Sequence, residues 1–316
     1  MRRLDRILAV ADPTAERQPA VSKAARIARA SGAVLELFIC DYDPSLNGRP
    51  FAETETLRAL RDEFLTDRAE YLEDLADELR TGGLNVETHV HWDNPLYRGI
   101  LRRIVESTPD LVVKDTHFHS LLRRTLLTNT DWNLIRACPV PLLLAKAGEW
   151  RAQPRLLAAI DPGHLADKPA ALDHDILDFA GLLARHLDGE VHAVHAFFPA
   201  ALLALTTGMP GLPLGGETAT EEIVATERRR IEGGVLKLAA AHGLPAGNVH
   251  LLQGSAAEAL PDAAAAQQAD VVVMGAVSRS RLEELFVGST AERVLDRLPS
   301  DVLVVKPPEF VEQMPV

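Results

Sequence analysis

The sequence predicts two α/β domains in tandem, each an open parallel sheet of five strands with helices on both faces. Three observations lead there. First, RILAVADP at residues 6–13 recurs as RLLAAIDP at 155–162, AARIARASGAVLELFICDYDP at 24–44 answers to AGLLARHLDGEVHAVHAFFP at 180–199, and residues 109–146 align without a gap to 269–306. Matches that keep one order along the chain mark an internal duplication. Second, the strand-like runs are short and rich in Val, Ile and Leu, as strands covered on both faces require. Third, amphipathic helical patterns alternate with those runs, which is the pattern of a parallel sheet.

In the first half the strands fall near residues 6–11, 34–40, 86–92, 111–114 and 142–145. The first is followed by a helix, a glycine turn and the second strand. LRALRDEFLTDRAEYLEDLADELR at 57–80 then carries apolar residues at three- and four-residue spacing with charges opposite, and so predicts a long surface helix. In the second half the strands fall near 156–160, 191–197, 249–253, 271–274 and 302–305. The implied domains are residues 1–149 and 150–316. Ligands of such open sheets bind beyond the carboxyl ends of the strands, so functional residues are sought just after each strand.

A chain of 316 residues that is 47% hydrophobic has room for two cores. Its 33 basic and 45 acidic residues leave a net charge of −12, which repels nucleic acid and anionic membranes. Cys40 and Cys138 form no metal-ligand spacing and predict two free, buried thiols in a reducing cytoplasm. The apolar run near the N-terminus, residues 7–11, is too short for a signal-peptide core. The apolar segment at 196–214 is interrupted by Pro199, Gly208, Pro210, Gly211 and Pro213, against membrane insertion.

In the second repeat the fourth strand is followed by Gly275-Ala-Val-Ser278, nine further residues, and Gly288-Ser289-Thr290. With the tandem repeat, this loop makes the chain resemble the universal stress protein family over nearly its whole length, its two-domain form being most similar to the E branch. The resemblance implies a strand order of 3-2-1-4-5 in each sheet. It also implies pairing of fifth strands, which would make one chain an intrachain pseudo-dimer. ATP-binding members carry Gly-x2-Gly-x9-Gly-Ser/Thr after the fourth strand and an aspartate after the first. Carried onto this chain, the ATP contacts are Asp161, with Asp12 as its first-repeat counterpart, then Gly275, Ser278 in place of a glycine, Gly288 and Ser289. Arg279 and Thr290 adjoin them.

The residues support part of that role by themselves. Glycine lets backbone approach an anion closely, and the first N–H groups of a helix favour negative charge. Ser289 and Glu292 have the spacing of a capping box, which predicts a helix starting beside Gly288. The alternative is that the two glycines serve tight turns and Ser289 only caps. In the first repeat Lys114-Asp115 replaces Met274-Gly275, Phe118 stands at the Ser278 position and Thr128-Asn129 replaces Gly288-Ser289. That loop has no glycine, and Asp115 puts negative charge where a phosphate would approach, so the first domain is read as degenerate for nucleotide. It holds His117 and His119 instead, a His-x-His pair able to share a zinc ion, with Asp115, His89 and His91 as further candidates. Residues 198–214 are read as a lid or as the wall of an apolar cavity for a lipid-like ligand.

Three functional readings follow. The first is a cytoplasmic stress-response protein binding a small ligand, an adenine nucleotide in the second domain. The second is a weak ATPase or autophosphorylating protein with Ser289 or Thr290 as acceptor. The third is a scaffold, possessing vestigial sites and acting as a homo-dimer. No Gly-x-Ser-x-Gly elbow, complete Walker loop or HExxH helix is present, so no catalytic residue is assigned.

Overall fold

The computed structural model describes residues 3–47, 54–116, 118–119, 124–125, 127–162, 171–198, 217–275 and 289–307, with backbone alone for 118–119, 124–125, 217–221 and 289–290. These fall into two compact units, one built on Met1–Glu149 and one on Trp150–Pro307.

In the first unit the elements run β1 (Arg6–Val10), α1 (Pro19–Ser31), β2 (Val34–Asp41), α2 (Glu55–Thr81), β3 (Val86–Trp92), α3 (Leu96–Ser107) and β4 (Leu111–Asp115). A short antiparallel pair, β5 (Phe118–His119) with β6 (Arg124–Thr125), comes next, before α4 (Asn129–Ala137) and β7 (Leu142–Ala145). The main sheet has the order β3-β2-β1-β4-β7, with every one of these pairings parallel. Pro19 lies in the first turn of α1, where its missing N–H costs nothing, and Gly32 at φ +77° closes the helix in the left-handed conformation. α2 starts at Thr54, whose hydroxyl accepts from the Leu57 N–H. α1 packs on β1, β4 and β7, and α2 on β2 and β3. The strand interiors are unbroken apolar runs, with Ile7, Leu8, Leu35, Leu37, Phe38, Val112 and Leu143 fully buried. Cys40 and Cys138 are free and buried, as expected.

The second unit repeats the plan: β8 (Arg155–Ala159), α5 (Leu172–Leu187), β9 (Glu190–Phe197), α6 (Glu217–Ala241), β10 (Val249–Gln253), α7 (Ala256–Ala266), β11 (Val271–Gly275), α8 (Ser289–Leu295) and β12 (Asp301–Val305). Its strands lie in the order β10-β9-β8-β11-β12, again parallel throughout. The order 3-2-1-4-5 is therefore present in both units.

Equivalent polar side chains tie equivalent points of the two sheets. Asp110 accepts from the Arg6 N–H at 2.9 Å, pinning the start of β1 to the start of β4, and Asp270 accepts from the Arg155 N–H at 2.8 Å at the same place in the second sheet. After the first strand of each unit a part-buried backbone N–H is taken up by a side chain at the following helix. Gln18 Oε1 accepts from Asp12 at 3.1 Å, and Asp173 Oδ1 accepts from Asp161 at 2.9 Å. The side chain differs and the backbone group satisfied is the same.

Candidate functional site

Each sheet reverses its winding beside its first strand, between β1 and β4 and between β8 and β11. A crevice opens at the carboxyl ends of strands at such a point, because the connections leave it in opposite directions.

In the second unit this point brings together Asp161, His195 and Gly275. Asp161 lies two residues beyond the end of β8 and is partly exposed, its side chain 41% accessible. His195, on β9, is buried; its Nδ1 donates to the Ile160 carbonyl at 3.0 Å and stands 3.6 Å from Asp161 Oδ1. That bond leaves Nε2 as the ring's acceptor when the imidazole is neutral. His195 thus lies beside Asp161 at the strand ends.

Gly275 ends β11, and the space its missing side chain leaves is filled from inside the protein. A Cβ there would lie 2.6 Å from Leu172 Cδ2, so α5 approaches β11 more closely than any other residue would permit. The glycine thus has a packing role that the sequence did not disclose. α8 begins at Ser289 itself, so Ser289 is the first helical residue and not the residue preceding the helix. The helix thus starts beside Gly288 as the sequence predicts, while the capping box expected of Ser289 with Glu292 falls on a side chain outside the described residues. The cap frame is visible in the first unit, where Thr128, aligned with Gly288, caps α4 in a reciprocal box with Asp131. Ser278, Arg279 and Gly288 lie outside the described residues, as do the side chains of Ser289 and Thr290, and the apolar segment beyond Phe198.

The first unit carries a crevice of about 360 Å³ at its switch point. Asp12 at the end of β1, Asp41 at the end of β2, and Lys114 and Asp115 at the end of β4 line it, with Thr128 and Thr130 from the start of α4 and an apolar wall including Val10, Leu96 and Ile100. Asp115, in register with Gly275, is only 8% exposed. Its Oδ1 accepts from the Ala20 N–H on α1, and its Oδ2 has no hydrogen-bond partner among the described residues. Burial pushes this carboxyl up to about 7, against the pull of the Ala20 N–H and of Lys114 and Lys23, and the Asp12 charge adds to the rise. Neither cation is uncommitted: Lys114 Nζ lies 2.8 Å from Asp131 Oδ1, and Lys23 Nζ donates to the Lys146 carbonyl at 2.6 Å. Cys40, also on the crevice, has its thiol pushed up to about 12 by burial, with the Asp93 and Asp41 charges adding to the shift. A thiol held so firmly protonated is no nucleophile.

His117 lies outside the described residues, and of His119 only the backbone in β5 is described. β3, with His89 and His91, is at the sheet edge two strands from β1 and away from β4. Among the described residues no group of three or more His, Cys, Asp or Glu is arranged to hold a metal ion. Nor is any described helix long and apolar enough to cross a membrane.

Comparison with known proteins agrees with this architecture. The model of the universal stress protein family matches twice, over residues 3–146 and 155–306. Universal stress protein E of Escherichia coli strain K12 is 28% identical over 314 residues, covering 98% of this chain and 96% of its own length. The universal stress protein E homolog of Haemophilus influenzae is 24% identical over 306 residues, covering 95% of this chain and 97% of its own. Among solved structures, a putative universal stress protein from Pseudomonas aeruginosa UCBPP-PA14 superposes with a TM-score of 0.74 at 26% identity, covering 98% of this chain and 95% of its own. The duplicated sheet order, the shared strand-end aspartates and a family match to both halves lead to one conclusion: this chain belongs to the universal stress protein family.

Proposed function

We propose that the protein is a cytoplasmic stress-response protein that binds a small ligand, an adenine nucleotide in its second domain. The observation that carries this reading is the contrast between the two switch points. Where the first unit has the buried carboxylate of Asp115, the second has Gly275, with neither charge nor side chain. Asp161 stands at the adjoining strand end with an accessible carboxylate, able to accept from ribose hydroxyls. The sequence adds Gly288 and Ser289 at the motif's spacing, with Ser278, Arg279 and Thr290 as further phosphate contacts. α8 starting at Ser289 is consistent with a phosphate held near that segment. Zinc at His117 and His119 remains part of the proposal for the first domain, as does self-association of the chain.

Titration of the full-length chain with ATP and magnesium tests the reading by calorimetry. One nucleotide is expected per chain. Asp161→Ala, which removes a charged hydrogen-bond acceptor, weakens binding roughly tenfold or more, and Asp12→Ala leaves it unchanged. Equal effects of the two substitutions, or loss only with Asp12→Ala, would overturn the assignment to the second domain.

A further inference from the structure

The first-domain crevice is not simply a nucleotide site worn away. Among the described residues that line it, three carboxylates, Asp12, Asp41 and Asp115, stand against the ammonium of Lys114. Lys114 is turned to Asp131, and Asp41 is held by Arg68 at 2.8 Å. Asp115 is different: it is more than nine-tenths buried, it lines the crevice, and one of its oxygens has no hydrogen-bond partner among the described residues. An acceptor left unmade in a low-dielectric site costs stability unless a donor arrives from outside. The volume of about 360 Å³ is within the range of small-molecule sites.

We propose that the crevice at the ends of β1, β2 and β4 binds a small organic ammonium ligand, its charged nitrogen donating to Asp115 Oδ2 beside Asp12 and its alkyl chain lying along Val10, Leu96 and Ile100. An ammonium has only donors to offer and a carboxylate only acceptors, so the pairing satisfies the orphan oxygen with a charge-assisted bond. The apolar wall selects an alkyl amine over a bare metal ion. The proposal is independent of the nucleotide reading, which concerns the other domain.

Calorimetric titration of the full-length chain at pH 8 with putrescine, and with 1,4-butanediol as its uncharged analogue, tests this. Putrescine is expected to saturate at one molecule per chain and butanediol to give no binding. Asp115→Asn keeps an acceptor for the Ala20 N–H but not the charge. It is expected to weaken putrescine at least roughly tenfold. Asp12→Asn also weakens binding, and provides the test if Asp115→Asn does not fold. No saturable binding of putrescine at pH 8 would overturn the proposal. So would affinity unchanged by both substitutions, or binding of magnesium but not putrescine that is lost with Asp115→Asn.

Discussion

Asp115→Asn is expected to stabilise the first domain at pH 8, by up to about 4 kcal/mol, and to give no advantage at pH 4. The wild-type carboxyl titrates at about 7 in the folded chain and near 3.8 when solvated. Between those values the folded state holds a proton that the unfolded state has released, so wild-type stability falls as pH rises through the window. Below it both states are protonated and nothing is lost. Above it the burial of the ionised group is felt in full, at about 1.4 kcal/mol per pH unit of difference. Asparagine carries no charge at any of these pH values and can still accept from the Ala20 N–H, so the variant's profile lacks this fall. Thermal unfolding from pH 4 to pH 8 measures it. A variant less stable than wild type at pH 8 would show that the ionised carboxylate is already satisfied within the fold. A residue that costs this much to keep is one a binding role would explain.

The second large effect concerns Gly275. Gly275→Ala would place a Cβ 2.6 Å from Leu172 Cδ2, 3.1 Å from Cγ and 3.3 Å from Cδ1. Leu172 is 3% exposed and has no room to withdraw without disturbing α5 against β8 and β11. The expected cost is about 1–3 kcal/mol to the second domain. Leu172→Ala is itself destabilising through the cavity it leaves, but in the double variant the alanine at 275 costs little more, because the obstacle is gone. Denaturant unfolding of the four chains gives the coupling. Additive effects would show that Gly275 is not needed for this close approach.

The fold was legible because the duplication writes the same strand and helix pattern twice, and buried parallel strands cannot disguise their composition. The strand-end aspartates were legible for the same reason. The role of Gly275 was legible only in half. A glycine announces a close approach without saying what approaches, and Leu172 lies 103 residues earlier in the chain, a contact fixed by tertiary packing. Asp115 was read as a charge hostile to phosphate. Its near-complete burial and its unpartnered oxygen depend on α1 and α4 closing around it, and no local pattern encodes that. Asp110 and Asp270 were in plain view within the aligned segments, but their bonds to the first strand of each sheet join residues more than a hundred positions apart.

On the proposed reading, duplication has left two sites of opposite preference, one for a nucleotide anion and one closed to it. Photolabelling of the full-length chain with 8-azido-ATP, followed by peptide mapping, distinguishes them. Adducts are expected only on peptides of Trp150–Pro307, suppressed by unlabelled ATP and lost in Asp161→Ala. Adducts suppressed by ATP on peptides of Met1–Glu149 would contradict it.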